Sequence, residues 1–414
     1  MRILVISNVY PPVAFGGYER RCAHTMRWLE RRHDVLVLTS RLKRRGLSAE
    51  PSVLRELPFL PESPLGVLRA PLESLRAART VRAVLRRYRP DLVFVWNASN
   101  IPRAAVRIVQ RWDAPVAFSL ADHWLGYFAE GDLFLRQLVG GRGGLWRVWS
   151  ALARLVNRLP SLRVELQTPL PVSLTWDSGA LRDLTSIPAG VLPVLDRVIY
   201  PASDNEALFA GIERSPAARI TIAYVGRLEP EKAPDLAIRA LALLRDRHGI
   251  DARLVLMGTG GRATREELET LISGLALDGA VELRGQLPVE GVAAGLAEAH
   301  AMVIPSRWQE PFGLVCLEAA LARVPVIASR SGGMPEMLRP DVEALFFPID
   351  DERACAEALA RTLTDRAGTE ERVRRAHEHA REYSLEHYRA AYEAFVEDAR
   401  TAGLSAQARR SLST

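Results

Sequence analysis

Residues 306–318 read S-R-W-Q-E-P-F-G-L-V-C-L-E. An apolar run with strand character precedes them over 301–305, and a helix-like run opens over 313–322. Two carboxylates, Glu310 and Glu318, stand eight positions apart. Pro311 and Gly313 keep Glu310 in the turn, whereas Glu318 falls among Val315, Leu317, Ala319, Ala320 and Leu321 in an otherwise apolar helix. A carboxylate withdrawn from water without a partner is costly, so Glu318 is expected to bond hydroxyls or cations, a ribose diol being one candidate. Were the whole span helical, the acids would lie about 12 Å apart, the reach from a ribose across a diphosphate to a sugar. In isolation the same spacing also fits a solvated loop residue and a surface position on an amphipathic helix. The strand–turn–helix setting favours a ligand, because Pro-Phe-Gly at the turn aims free backbone N–H groups and the positive end of the helix dipole at whatever binds there.

Outward from this stretch the second half of the sequence repeats one pattern. A strand over 219–225 ends in G-R-L-E-P-E-K-A (226–233) before a helix over 234–247. Another over 253–257 ends in G-T-G-G before a helix over 265–275, and a third over 280–284 ends at Gly285. A helix over 289–299 leads into the opening stretch, followed by a strand over 325–328 and S-G-G-M-P-E (331–336). Arg227 and Lys232 flank a turn just past a strand end, where both can reach a diphosphate, the arginine as a planar fork and the lysine as a point charge. Lys43 and Lys232 are the only lysines among 55 basic residues, which makes a lysine here unlike generic surface charge. Three further helices are expected over 351–364, 369–382 and 385–402.

The first half alternates in the same way. Strands are expected over 2–7, 33–39, 91–96 and 115–119, with helices over 18–32, 65–87 and 102–110. This is the signature of parallel sheets with helices on both faces. Gly16-Gly17 at the first strand-to-helix turn permits close backbone approach to a phosphate or sugar, although such pairs also serve plain turns. Asp122 and His123 follow a strand end, where ligands bind in such sheets, or form a polar loop pair. Residues 160–190 read as irregular and Pro-rich with a short helix over 178–184, and 197–202 as a strand entering a connector.

Composition narrows the function classes. The 414 residues, 48% hydrophobic and 25% charged, suit a water-soluble protein with room for two α/β domains. Three scattered cysteines (Cys22, Cys316, Cys355) make neither a disulfide framework nor a metal cluster, which points to a reducing cytoplasm. The N-terminal M-R-I-L-V-I-S-N reads as a short strand rather than a signal peptide, and no stretch of about 20 apolar residues is present to span a membrane. Net charge is +6, split into +13 over 1–200 and −7 over 201–414, so the first half is expected to face an anionic surface. The basic stretches lack an aromatic-interleaved platform or a DNA-binding motif, so nucleic acid is not expected as a partner. Residues 133–164 hold six arginines and no acid, and over 145–159 Leu145, Val148, Trp149, Leu152, Leu155, Val156 and Leu159 share one helical face. Arg147, Arg154 and Arg158 fall opposite, a pattern that fits peripheral contact with anionic lipid as well as a core-facing helix with solvated arginines.

The run G-R-L-E-P-E-K-A-P-D-L-A-I-R-A-L, with L-V-L-M-G-T-G, P-S-R-W-Q-E-P-F-G-L-V-C-L-E-A and P-V-I-A-S-R-S-G-G-M-P-E, resembles the donor-binding half of the family 4 retaining glycosyltransferases. The opening N-V-Y-P-P-V-A-F-G-G-Y-E-R resembles that family's first turn. The resemblance implies the α/β GT-B fold, two Rossmann-like domains with parallel sheets facing a central cleft. It divides the protein into an acceptor-binding domain over 1–203, a nucleotide-sugar-binding domain over 204–384, a helix over 385–402 that crosses back, and a tail over 403–414. It implies a hexosyltransferase that uses a UDP or GDP sugar and a hydroxyl acceptor, glycan, lipid-linked or small, without metal or other cofactor. Arg227 and Lys232 then resemble the diphosphate ligands, Glu318 the ribose ligand and Glu310 the carboxylate at the donor sugar. The backbone of Phe312, Gly313 and Leu314 resembles the sugar and phosphate cradle, completed by Gly16 and Gly17. The family often has glycine where this sequence has Ala233 and before P-V-I, where it has Arg323-Val324. Many members carry His-Asp after the fourth strand, where this sequence reads Ala121-Asp122-His123-Trp124. An epimerase or phosphorylase of the same architecture, or a non-catalytic nucleotide-sugar-binding protein, are the alternatives.

Overall fold

The computed structural model describes residues 1–13, 16–42, 50–60, 63–127, 147–148, 150–151, 154–155, 158 and 170–411. Two compact units emerge, one made of Met1–Trp176, Arg182–Ile199 and Arg389–Thr414, the other of Asp177–Leu181 and Tyr200–Tyr388. Each is organised around one sheet, and every strand pair in both is parallel.

In the first unit the strands are β1 (Arg2–Ser7), β2 (Asp34–Ser40), β3 (Val53–Leu57), β4 (Leu92–Asn97), β5 (Val116–Leu120), β6 (Leu170–Trp176) and β7 (Val191–Val198). Their order across the sheet is β3-β2-β1-β4-β5-β6-β7. The strands β1, β4 and β5 are nearly continuous apolar runs, as burial on both faces requires. Two expectations need correction, and one strand was not expected at all: β3 is mostly half-buried and has no apolar run to announce it. Strand β6 lies in the stretch expected to be irregular, because Pro171, Ser173 and Thr175 hide a fully buried strand. Its proline is tolerated because pairing to β5 starts only at Ser173, so Pro171 owes that neighbour no N–H. The strand expected over 197–202 is Val191–Val198, a sheet edge.

The helix expected over 385–402 runs Leu385–Ser411, past the end read from the sequence and into the expected tail. From Arg389 onward it belongs to the first unit. There Tyr392, Phe395, Val396 and Ala399 are buried, Tyr392 stacks on Trp96 with ring centroids 5.4 Å apart, and its hydroxyl meets Ser119 Oγ at 3.1 Å.

The second unit carries β8 (Ile220–Val225), β9 (Ala252–Met257), β10 (Val281–Gly285), β11 (Ala301–Ile304), β12 (Val326–Ser329) and β13 (Leu345–Phe347), in the order β10-β9-β8-β11-β12-β13. Alternation along β8 sends Ala223 to one core and Ile222 and Tyr224 to the other. One core packs against helices Leu314–Leu321 and Arg366–Ala380, the other against Pro234–His248 and Glu352–Thr364. The sheet is therefore covered on both faces. Strand order reverses between β8 and β11, and the C-terminal ends of strands at such a switch point form a ligand crevice. Among the described residues, no helix is long and apolar enough to cross a membrane.

Candidate functional site

Both sequence-predicted turns of the second unit open at that switch point. After β8 the backbone passes through Gly226 and Arg227 to a single 3-10 turn, Pro230–Lys232, before helix Pro234–His248. Ala233 joins the two at φ 50°, so it holds a left-handed conformation in which a glycine would cost less. Tyr224, buried in the sheet, donates its hydroxyl to the Arg227 carbonyl at 2.8 Å and lies 3.3 Å from the Lys232 carbonyl. One phenol thus braces both basic residues. Arg307 ties the same turn to the stretch after β11: its guanidinium grips Asp235 through two bonds of 2.8 Å and donates to the Pro230 carbonyl at 2.9 Å. Burial alone would raise the Asp235 carboxyl, yet the Arg307 fork holds it below the ordinary carboxylate range.

The Lys232 ammonium reaches Glu310 Oε1 at 2.5 Å, and Ser306 Oγ donates to the same oxygen at 2.6 Å. Glu310 Oε2 has no protein donor among the described residues. Glu310 is largely buried, its side chain 12% exposed against 23% for Lys232. The carboxylate is therefore fixed by one oxygen and offers the other. Arg227 sits on the same turn but is paired with Glu229 and, at 3.1 Å, with Glu231. Those pairs are solvent-exposed and worth at most about 1 kcal/mol, so a diphosphate can displace them.

The span between the two acids is not one helix, contrary to the geometry behind the 12 Å separation: the helix begins only at Leu314 and runs to Leu321. Glu310 lies on a loop held by its neighbour after β12. Gly333 N–H donates to the Glu310 carbonyl at 2.7 Å, and Gly332 N–H to Gln309 Oε1 at 2.8 Å. Gly332 has φ 50°, and a Cβ there would lie 2.0 Å from the Glu310 carbonyl oxygen. Gly332→Ala is expected to destabilise the protein by about 2–4 kcal/mol, combining positive-φ strain with a clash against rigid backbone; a urea melt showing less than 1 kcal/mol, on the order of surface noise, would contradict this. Phe312 itself is buried and packs on Tyr200 and Tyr383, with ring centroids 5.9 and 5.5 Å away. The N–H groups of Phe312, Gly313 and Leu314 take no protein acceptor among the described residues, which leaves the start of an eight-residue helix open to an anion.

Glu318 lies on the inner part of that helix, and the hydroxyl expected for it is supplied by Ser203, which donates to Oε1 at 2.9 Å. Burial pushes its carboxyl up to about 7, the Ser203 bond pulls the other way, and Asp204 raises it further. Between pH 4.5 and 7 the folded protein holds a proton that the unfolded one has released, so this contribution to stability is lost as pH rises. Glu318→Gln is accordingly expected to be more stable than the parent at pH 8 by about 1–3 kcal/mol and equal to it at pH 4. Chemical melts at both pH values check the sign.

The remaining expected site residues belong to the first unit. Gly16 precedes helix Gly17–Leu29, and its N–H donates to Glu19 Oε2 at 3.0 Å, so that donor is already used. Asp122 accepts the Trp124 N–H at 2.8 Å, and His123 Nδ1 meets Thr185 Oγ1 at 2.7 Å. Burial lowers the His123 pKa, leaving it neutral at pH 7. The arginine-rich stretch 133–164 lies almost wholly outside the described residues. Sequence reasoning missed the supports. Ser203 stands 115 positions from Glu318 and Tyr224 inside a strand, with no local signal; Ser306 was in view but carried no spacing cue.

The sequence matches the family described as Glycosyl transferases group 1 over residues 208–383 and the one described as Glycosyltransferase Family 4 over 15–161. It is 34% identical over 220 residues to a D-inositol 3-phosphate glycosyltransferase of Saccharomonospora viridis, covering 48% of this chain and 51% of that one. A protein of the same name from Kribbella flavida is 33% identical over 211 residues, 48% of this chain and 49% of that one. The chain thus spans about half the length of the curated relatives it matches. Among solved structures, a sucrose-phosphate synthase from Thermosynechococcus elongatus aligns with TM-score 0.69 at 19% identity, over 96% of this chain and 98% of the other. Anabaena HepE in complex with UDP aligns with TM-score 0.67 at 20% identity, over 96% and 100%. At these identities the structural likeness speaks for the fold.

Proposed function

The chain belongs to the glycosyltransferases of family 4, and from that premise we propose that it moves a sugar, with retention, from a UDP or GDP sugar to a hydroxyl acceptor. The observation that carries the reading is Glu310, held at Oε1 by Lys232 and Ser306 with Oε2 unengaged among the described residues, at the switch point of the second sheet. Beside it stand the N–H groups of Phe312, Gly313 and Leu314, which take no acceptor among the described residues. In this reading Lys232, Arg227 and the helix start take up the negative charge that grows on the diphosphate as the sugar C1–O bond breaks. Glu310 supports the positive charge at C1, and Glu318 holds the ribose. The acceptor oxygen bonds C1 on the face the diphosphate leaves, and its proton passes to a diphosphate oxygen. Cationic side chains and helix dipole supply the stabilisation, so no divalent metal is required, and turnover is expected to survive chelator. Gly16 and Gly17 are proposed for the donor phosphate, Asp122 and His123 for the donor-sugar or acceptor side, and 133–164 for contact with an anionic membrane that bears a lipid-linked acceptor.

The test is a thermal-shift screen with nucleoside diphosphates and their sugars, followed by product analysis. A ligand at 100 times its Kd stabilises by about 2.7 kcal/mol. No shift with any UDP or GDP compound overturns the reading. A shift with conversion of the donor but no transfer to an acceptor makes the protein an epimerase or phosphorylase instead.

A further inference from the structure

Glu336 belongs to S-G-G-M-P-E after β12 and to the single turn Met334–Met337. The reaction outlined above gives it no task, yet its carboxylate collects three donors. Gly179 N–H donates to Oε2 at 2.9 Å, Ala180 N–H donates to Oε1, and the Tyr200 hydroxyl donates to Oε2 at 3.0 Å. These donors come from Asp177–Leu181 and from Tyr200, the two places where the backbone enters the second unit. The same entering segment reaches the donor loop directly: Ser178, fully buried, donates its hydroxyl to the carbonyl of Pro311, the residue after Glu310. Tyr200 completes the contact by packing its ring on Phe312 at 5.9 Å, with Tyr383 against both. On the far side Gly333 N–H holds the Glu310 carbonyl at 2.7 Å.

We propose that Glu336 is a positioning residue: it anchors the entering segments so that Ser178 and Tyr200 hold the loop 309–313, and with it the Glu310 carboxylate, in register for the donor sugar. The inference rests on the functional reading given above for its kinetic consequence, but not for its structural one. A carboxylate that takes two backbone N–H groups and a phenol is a stronger anchor than a neutral amide, because hydrogen bonds to a charged acceptor are roughly twice as strong. Loss of the charge loosens the anchor without emptying the space.

The experiment compares Glu336→Gln, Ser178→Ala and the parent by amide hydrogen exchange and by kinetics. Exchange at Glu310, Gly332 and Gly333, whose N–H groups tie this loop to its neighbour, is expected to rise about tenfold in both variants, with β8 and β11 unchanged, as local opening of one loop requires. Turnover is expected to fall about tenfold, nucleoside diphosphate affinity to stay within about twofold, and the double variant to be no worse than the weaker single one, since both act on one loop. If Glu336 merely caps the short helix Gly179–Leu184, exchange rises only over 179–184 and the proposal falls. Exchange that rises at the loop in a protein transferring no sugar retains the anchoring and removes the functional reading. Global loss of protection in Glu336→Gln overturns the proposal unless Ser178→Ala still shows the loop-confined change.

Discussion

Glu310→Gln is expected to lower kcat by roughly 10²–10³-fold, the loss typical of removing one preorganised charge from a reacting centre, while the nucleoside diphosphate still binds. The substitution is close to isosteric. Glutamine retains an oxygen for Lys232 Nζ and Ser306 Oγ, which now approach Oε1 at 2.5 and 2.6 Å, so the loop geometry survives. In the proposed reaction, what disappears is the negative charge that Glu310 brings to the anomeric carbon. Because that charge matters only as positive charge grows on the sugar, the effect belongs in kcat rather than in donor affinity. Turnover unchanged within a factor of about three, well below that loss, removes Glu310 from the chemistry. An equal rise in donor KM would make it a binding residue only.

Lys232→Met is expected to cost more, roughly 10³-fold in kcat/KM, since in the proposed reaction it removes the cation that meets the leaving group, and it strands a carboxylate. The lysine side chain is only 23% exposed and Glu310 12%, so solvent does little to replace the lost partner. The sign of the coupling is informative. In the Lys232→Met background, Glu310→Gln relieves an unpaired charge, so the double variant is expected to be more stable than Lys232→Met alone. Directly bonded residues show interaction energies of about 0.5–3 kcal/mol in such cycles. Strict additivity in both stability and kcat/KM would mean that the two side chains do not act as one device.

How much of this was legible before the structure depends on where each signal lay. The second unit was readable because strands such as β8 and β9 are apolar runs that end at a glycine turn, as in 254–258. Lys232, Arg227 and Glu310 stood out because each falls within a few residues of a strand end. The first unit was less readable. Pro171 and the alternating hydroxyls of Ser173 and Thr175 disguised β6, a strand whose partner β5 simply stops short of the proline. The supports were silent for another reason: Ser203 with Glu318, and Ser178 with Pro311, meet across more than a hundred positions, and nothing in local composition encodes such a meeting. Arg227 shows the limit for long side chains. Its place was legible, but its engagement by Glu229 and Glu231 was not, because such exposed pairs are decided by small energies.

The helix Leu385–Ser411 has a consequence for how the molecule is made. Ser119 and Tyr392 touch although 273 positions separate them, and Phe94 and Trp96 of β4 are sealed by Tyr392 and Phe395. A ribosome therefore releases the first sheet with an aromatic flank bare, and the second unit is translated in full before the cover arrives. Domains generally fold in order of synthesis, but here the earlier one must wait for the later. Synthesis stopped before Arg389 would leave a finished second unit and, on the first, the aromatic flank of β4 without its cover.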